Sequence, residues 1–157
     1  MFVVGDKIVY PIHGAGIIER IEKKVILGET NEYYILRVPC GDLQVMIPVD
    51  ASDEIGIRPI SSPELLKNAL NLLSEQSTAM SDNWNHRYRE NMEKLKSGDL
   101  LEIAEVMRNL TRVDRVKKLS TGEKKMLTNA KQIFISEMIL ISDISHDEAE
   151  HMLLETI

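Results

Sequence analysis

The sequence predicts an α+β protein in which a small antiparallel β-barrel precedes an all-α domain of about five helices. Three observations carry this expectation. Short β-rich runs parted by turn residues fill the first part of the chain. From "RPISSPELLKNALNLL" (58–73) onward the apolar residues recur at spacings of three and four. Three later segments each open with a cap residue and a glutamate three positions on. The boundary is expected between residues 57 and 62, giving domains 1–57 and 62–157.

The strand candidates are "KIVYP", "GAGIIERIEKKVI", "EYYILRVP" and "LQVMIPV". Their alternation is imperfect: Ile17, Ile18, Ile21, Val25 and Leu27 mix the two faces, which suits a small, strongly bent sheet. "LGETNE" (27–32), "PCGD" (39–42, with Gly41-Asp42) and "HGAG" (13–16) read as short turns, so neighbouring strands are expected to be antiparallel. The first helix is announced by Ser62 as N-cap with Pro63 at the first helical position, where the missing N–H costs nothing. The cap pairs that follow are Asp99 with Glu102, Ser120 with Glu123 and Ser145 with Glu148. Behind Ser120, the residues Met126, Leu127, Ala130, Ile133, Phe134, Glu137, Met138 and Ile141 form a wide core-facing stripe with one carboxylate in it.

Composition excludes several classes. The longest apolar runs, such as "MILI" (138–141), fall far short of the ~20 residues that span a bilayer, so no membrane is expected. Nothing near the N-terminus resembles an export signal, and Cys40 stands alone and can form no disulfide within the chain, which together point to the cytoplasm. The net charge of −6 is unevenly spread: residues 84–131 hold 12 Lys/Arg against 7 Asp/Glu, while all the others hold 7 against 18. A basic block therefore sits inside an acidic protein.

No catalytic set emerges, and an enzyme, a cofactor or a small-molecule substrate is not expected. The histidines, His13, His86, His146 and His151, are scattered; only His146, Asp147, Glu150 and His151 come near metal-ligand spacing, and an acidic helix face is the expected reading there. Cys40, after Pro39, reads as a small packing residue. "HGAG" lacks the lysine and spacing of a phosphate loop.

Two features point to nucleic acid, each with an ordinary alternative. Arg108, Arg112 and Arg115 recur on one helix face without acidic partners, and Lys124 and Lys125 open the next helix; the face either meets phosphates or is merely solvated. The one tryptophan, in "SDNWNHRYRENMEKL" (81–95), shares a helical stripe with Tyr88, Met92 and Leu95, which makes it a core residue by periodicity. Its place in the first turn, with Asn83 and Arg87 beside it, instead suits an exposed aromatic on a DNA-binding surface.

The stretches "GDKIVYPIHGAG" (5–16), "GDLQVMIP" (41–48), "NWNHRYRENMEKLKSGD" (83–99) and "LSTGEKKML" (119–127) together resemble the CarD family of bacterial transcription regulators (the CarD/CdnL group). The resemblance implies a Tudor-like (SH3-like) barrel that binds the β subunit of RNA polymerase by strand addition, with Lys24, Arg37, Gln44 and Met46 on the polymerase side. It implies equally a helical domain that touches promoter DNA at the upstream edge of the transcription bubble. There Trp84 enters the minor groove, Arg87 and Arg89 bind the backbone beside it, and Lys124 and Lys125 make further phosphate contacts, all without reading sequence. The expected function is stabilisation of the open promoter complex, in the cytoplasm at the nucleoid. The chain departs from actinobacterial members at Lys24 and Met46, where those carry arginine. The alternative is a polymerase-bound adaptor whose helices recruit another protein.

Overall fold

In the computed structural model, residues 1–39 and 43–157 are described. The N-terminal part is a curled sheet of five antiparallel strands, β1 (Lys7–Tyr10), β2 (Gly14–Ile26), β3 (Glu29–Val38), β4 (Leu43–Pro48) and β5 (Arg58–Pro59), in the order β4-β3-β2-β1-β5. The expected Gly41-Asp42 turn and Cys40 lie outside the described residues. A 3-10 turn (Val49–Ala51) and a four-residue helix, α1 (Ser52–Ile55), lead from β4 to β5.

Two local features bend and extend this sheet. The register slips by one between Ile18 and Arg20, a bulge at Glu19 that turns β2 over the small core of Ile8, Ile18, Tyr34, Leu36 and Ile47. The polar stretch 27–32 is not a long turn. Only Leu27 (φ 52°) and Gly28 (φ 80°) turn, a two-residue connection with both φ values positive, and pairing resumes at once with Ile26 opposite Glu29. The hairpin overhangs the rest of the sheet, since β4 pairs with β3 only from Tyr33 to Val38. Both faces of the overhang meet water, with Val25, Ile26 and Leu27 exposed on one arm and the tip, while the other arm, Glu29 to Glu32, is polar and resembles a turn in sequence.

Of "HGAG", His13 closes a turn by donating its N–H to the Tyr10 carbonyl (2.9 Å), and the rest is strand. Gly14 opens β2, and a Cβ on Gly16 would stand 2.5 Å from the Arg37 carbonyl oxygen, so glycine there lets β3 pass close by.

The remaining chain forms five helices: α2 (Pro63–Ser74), α3 (Trp84–Lys96), α4 (Leu100–Val116), α5 (Thr121–Ser142) and α6 (His146–Thr156). Their starts follow the sequence signals, because a side-chain oxygen satisfies an orphan N–H at each one. Ser62 accepts from Leu65, Asn83 from His86, Asp99 from Leu101, Ser120 from Glu123 and Ser145 from Glu148. One core joins the helices, with Leu73, Leu95, Ile103, Met107, Leu110 and Phe134 at its centre.

Two of the three arginines on the α4 face are turned onto the protein's own main chain, and only Arg115 is exposed. Arg108, a residue 2% exposed, donates to the Leu72 carbonyl (3.0 Å), and Arg112 donates to the carbonyls of Leu73 (2.9 Å) and Glu75 (2.6 Å). These carbonyls stand at the C-terminus of α2, where acceptors lack intrahelical partners or, like Leu72, take only the Glu75 N–H, and where the helix dipole favours cations. Arg115 reaches the Ile157 carbonyl (2.8 Å).

Sheet and helices meet along the C-terminal half of α5. Ala15 donates its N–H to the Ser136 hydroxyl (2.8 Å), and Val9 and Ala15 pack with Leu140. Glu137, the carboxylate in the apolar stripe, is fully buried; it accepts from both Arg58 terminal nitrogens (2.9 and 3.1 Å) and from the Ser61 N–H (2.7 Å). Arg58 also donates to the Gly98 carbonyl, through Nε (2.9 Å) and Nη2 (2.6 Å). Removing one partner of a buried ion pair leaves the other desolvated and unmatched. Glu137→Ala is therefore expected to cost about 3 kcal/mol and to lower the unfolding midpoint by roughly 6–12 °C, followed by circular dichroism. The same variant should open the 59–62 connection to limited proteolysis.

Candidate nucleic-acid interface

The N-termini of α3 and α5 lie side by side, and the residues singled out around Trp84 sit at this junction. The stripe from Leu95 to Trp84 climbs out of the core: Leu95 is buried, Met92 and Tyr88 are half-buried, and Trp84 is 42% exposed. The core reading therefore holds for the lower end of the stripe and fails at Trp84. Its ring stacks on Tyr88 (centroids 5.1 Å apart, planes 20° apart) and its indole N–H donates to the Ser120 hydroxyl at 3.0 Å. Gly122 lies under the pair, where an added Cβ would touch Trp84 Cζ2 at 3.5 Å and Tyr88 Cε2 at 3.6 Å.

Arg87 points the other way. Its Nε and Nη2 grip both oxygens of Glu123 (2.9 and 3.1 Å), and Nη1 donates to the Ser81 carbonyl (3.1 Å). Glu123 is 2% exposed, so this fork-to-fork pair clamps α3 to α5 from inside. The Arg87 hydrogen bonds, only partly opposed by burial, hold the Glu123 carboxyl below the usual range, and Glu123 holds the guanidinium pKa up. The sequence shows Glu123 only as a capping-box residue; its partner lies 36 positions away.

Arg89, Lys124 and Lys125 are exposed and make no ion pair among the described residues. Arg89 borders a hollow of about 380 Å³ with Tyr88 and Lys96, and Lys124 and Lys125 border one of about 310 Å³ with Thr121, Asn129 and Gln132. A larger groove, about 860 Å³, runs past Trp84 to Lys117 and Lys118. His86 is turned to Glu90, its i+4 neighbour (2.9 Å). An exposed aromatic ring with cations on several sides can press against bases while holding phosphates.

On the sheet, Arg37 and Gln44 are cross-strand partners, and both contact Glu19, Gln44 at 2.8 Å. Met46, 39% exposed, follows on the edge strand β4. Lys24 lies apart on the overhang, opposite Asn31 and 3.7 Å from Glu22. The Glu19 bulge shifts the parity of β2, so that by register Lys24 shares a face with Arg37, Gln44 and Met46. Beyond β2 the same face is covered by α5.

Elsewhere, the ligand atoms of His146, Asp147 and Glu150 stand within 4.8 Å of one another, all exposed, while His151 faces Glu155. Among the described residues no helix is long and apolar enough to cross a membrane.

Comparison with known proteins places the two halves. Residues 2–61 match the family described as the CarD-like/TRCF RID domain, and residues 68–154 match the CarD C-terminal domain. Together these matches imply association with RNA polymerase and DNA. The chain is also 40% identical, over 148 residues, to the protein named "Putative transcription factor YdeB" of Bacillus subtilis (strain 168), which covers 94% of this chain and 97% of that protein.

The Arg87–Glu123 clamp has a pH signature. Because the folded-state pKa of Glu123 is depressed, its stabilising contribution is present above the ordinary carboxylate value of about 4.3 and is lost as pH falls through the lower, folded value. Glu123→Gln is expected to be less stable than wild type at neutral pH. The two stabilities should converge below about pH 4, measured by urea unfolding across the acid range.

Proposed function

Because this chain belongs to the CarD family of transcription regulators, we propose that it docks on RNA polymerase through its sheet and holds promoter DNA open through its helices. Residues 1–57 form the polymerase-binding part and residues 62–157 the DNA-binding part. The observation that carries this reading is Trp84: a large ring left half in water, although its stripe leads into the core, with Arg89, Lys124 and Lys125 exposed on the same two helices and without an ion pair among the described residues.

The sheet offers β4 as an edge, and an edge strand with unmatched N–H and C=O groups receives a strand from the polymerase β subunit. Arg37, Gln44 and Met46 meet that strand, and Lys24 reaches the same partner from the overhang. Main-chain pairing supplies the affinity, so an apolar Met46 is compatible with it.

At the other end Trp84 slides into the minor groove at the upstream edge of the bubble. A ring lodged against an opened step hinders reannealing. Arg89, Lys124 and Lys125 hold the backbone on either side, and Arg87 adds the N–H groups that Glu123 and the Ser81 carbonyl leave over. Base edges are not read, so the action is general to promoters. Affinity for free DNA is low, because the residues outside 84–131 carry 18 acids against 7 bases and repel phosphate. Polymerase supplies the local concentration through the tethered sheet. Such a protein works in the cytoplasm, at the nucleoid.

Two measurements test this. With competitor DNA present, wild type should lengthen the half-life of polymerase–promoter complexes, and Trp84→Ala should bring it back to the value without the protein while still binding polymerase. If the variant lengthens it equally, the wedge is refuted and a helical surface that recruits another protein becomes the better account. Lys124→Ala with Lys125→Ala should weaken the effect on all promoters alike and reduce the log–log salt slope by about 2.

A further inference from the structure

The tryptophan is held, and the residue that holds it lies on another helix. Three contacts define the pose of Trp84: the stack on Tyr88, one turn on in its own helix, and, from α5, the edge contact over Gly122 and the indole hydrogen bond to Ser120. The edge carrying Nε1 and Cζ2 faces the N-terminus of α5, which leaves the opposite edge and the outer face toward solvent. Stacking and edge contact are apolar and tolerate sliding. The hydrogen bond is directional and sets the rotation of the ring.

Ser120 is suited to this because its hydroxyl has no capacity to spare. Its oxygen accepts from the Trp84 N–H (3.0 Å) and from the Glu123 backbone N–H (3.3 Å), and its proton is directed at Glu123 Oε1 (3.3 Å). The same Glu123 carboxylate is clamped by Arg87, one turn after Trp84 on α3. The ring is thus tied to the N-cap of α5, and the cap to the buried ion pair that fixes the angle between α3 and α5.

We infer that Ser120 is a positioning residue for Trp84: its hydroxyl, as N-cap of α5, holds the half-exposed indole in the orientation in which it meets DNA. The inference rests on the wedge reading proposed above and adds a second residue to it, one that carries no charge and touches the ring instead of phosphate. Held in place before contact, the ring loses less rotamer freedom when it enters the groove.

The test separates capping from positioning. Glycine at an N-cap preserves nearly all of the capping benefit but has no hydroxyl for the indole, whereas threonine keeps the hydroxyl. Trp84 is the only tryptophan in the chain, so its fluorescence anisotropy reports directly on the freedom of this ring. Ser120→Gly is expected to keep the wild-type circular dichroism and polymerase binding, to lower the tryptophan anisotropy without DNA, and to shorten the open-complex half-life by about 2- to 10-fold. Ser120→Thr should restore both. If Ser120→Gly leaves either the anisotropy or the half-life at the wild-type value while Trp84→Ala abolishes the effect, the inference is overturned and the wedge stands. If Trp84→Ala itself leaves the half-life unchanged, the wedge fails and Ser120 has no part in it.

Discussion

A fully buried carboxylate in the C-terminal half of the longest helix would be costly alone, since a desolvated charge is worth several kcal/mol against folding. Glu137 is tolerated because the connection between the two halves wraps around it. Arg58, at the end of the sheet, brings a guanidinium; Ser61, at the start of the helical part, brings a backbone N–H. Arg58 in turn spans to Gly98, in the turn between α3 and α4. Geometry is therefore over-determined where a linker could have left two independent parts. With Ser136 and Leu140 beside it, Glu137 fixes how much of one face of the sheet is covered by α5 and how much of that face remains open.

The cations around the helical part divide by chemistry. Arg58, Arg87, Arg108 and Arg112 are turned inward, onto carboxylates or carbonyls at a helix end, where a planar fork with several donors can satisfy two acceptors at once. The lysines at the start of α5 stay outside, as strongly hydrated point charges on flexible stems. A basic stretch of sequence thus has two functions. Its arginines largely build the scaffold, while Lys124 and Lys125, with Arg89, stay exposed.

Much of this was legible in the sequence and some was not, for identifiable reasons. Local signals held: Ser62, Asp99, Ser120 and Ser145 cap as their spacing to the next helix suggests, because a cap needs only neighbours within three residues. Long-range pairings did not show. Arg108 and Arg112 look unpartnered because their acceptors are main-chain oxygens, which every residue has, about 36 positions away. The β2 arm of the overhanging hairpin reads as strand, but Glu29 to Glu32 read as part of a turn, since neither face is buried there and without burial there is no alternation to read. Trp84 sat between two readings because periodicity tells which side of a helix faces inward but not where along its axis the core ends.

The helix α5 spans both ends of the molecule. Ser120 at its cap holds the exposed indole, and Ser136, sixteen residues on, holds the sheet. At 1.5 Å per residue these points stand about 24 Å apart along a rigid rod. The protein is in this sense a calliper with a set opening. Anything gripped by the sheet meets the indole at one distance and one rotation, and a single residue inserted into α5 between the two points would turn the jaws by roughly 100° relative to one another.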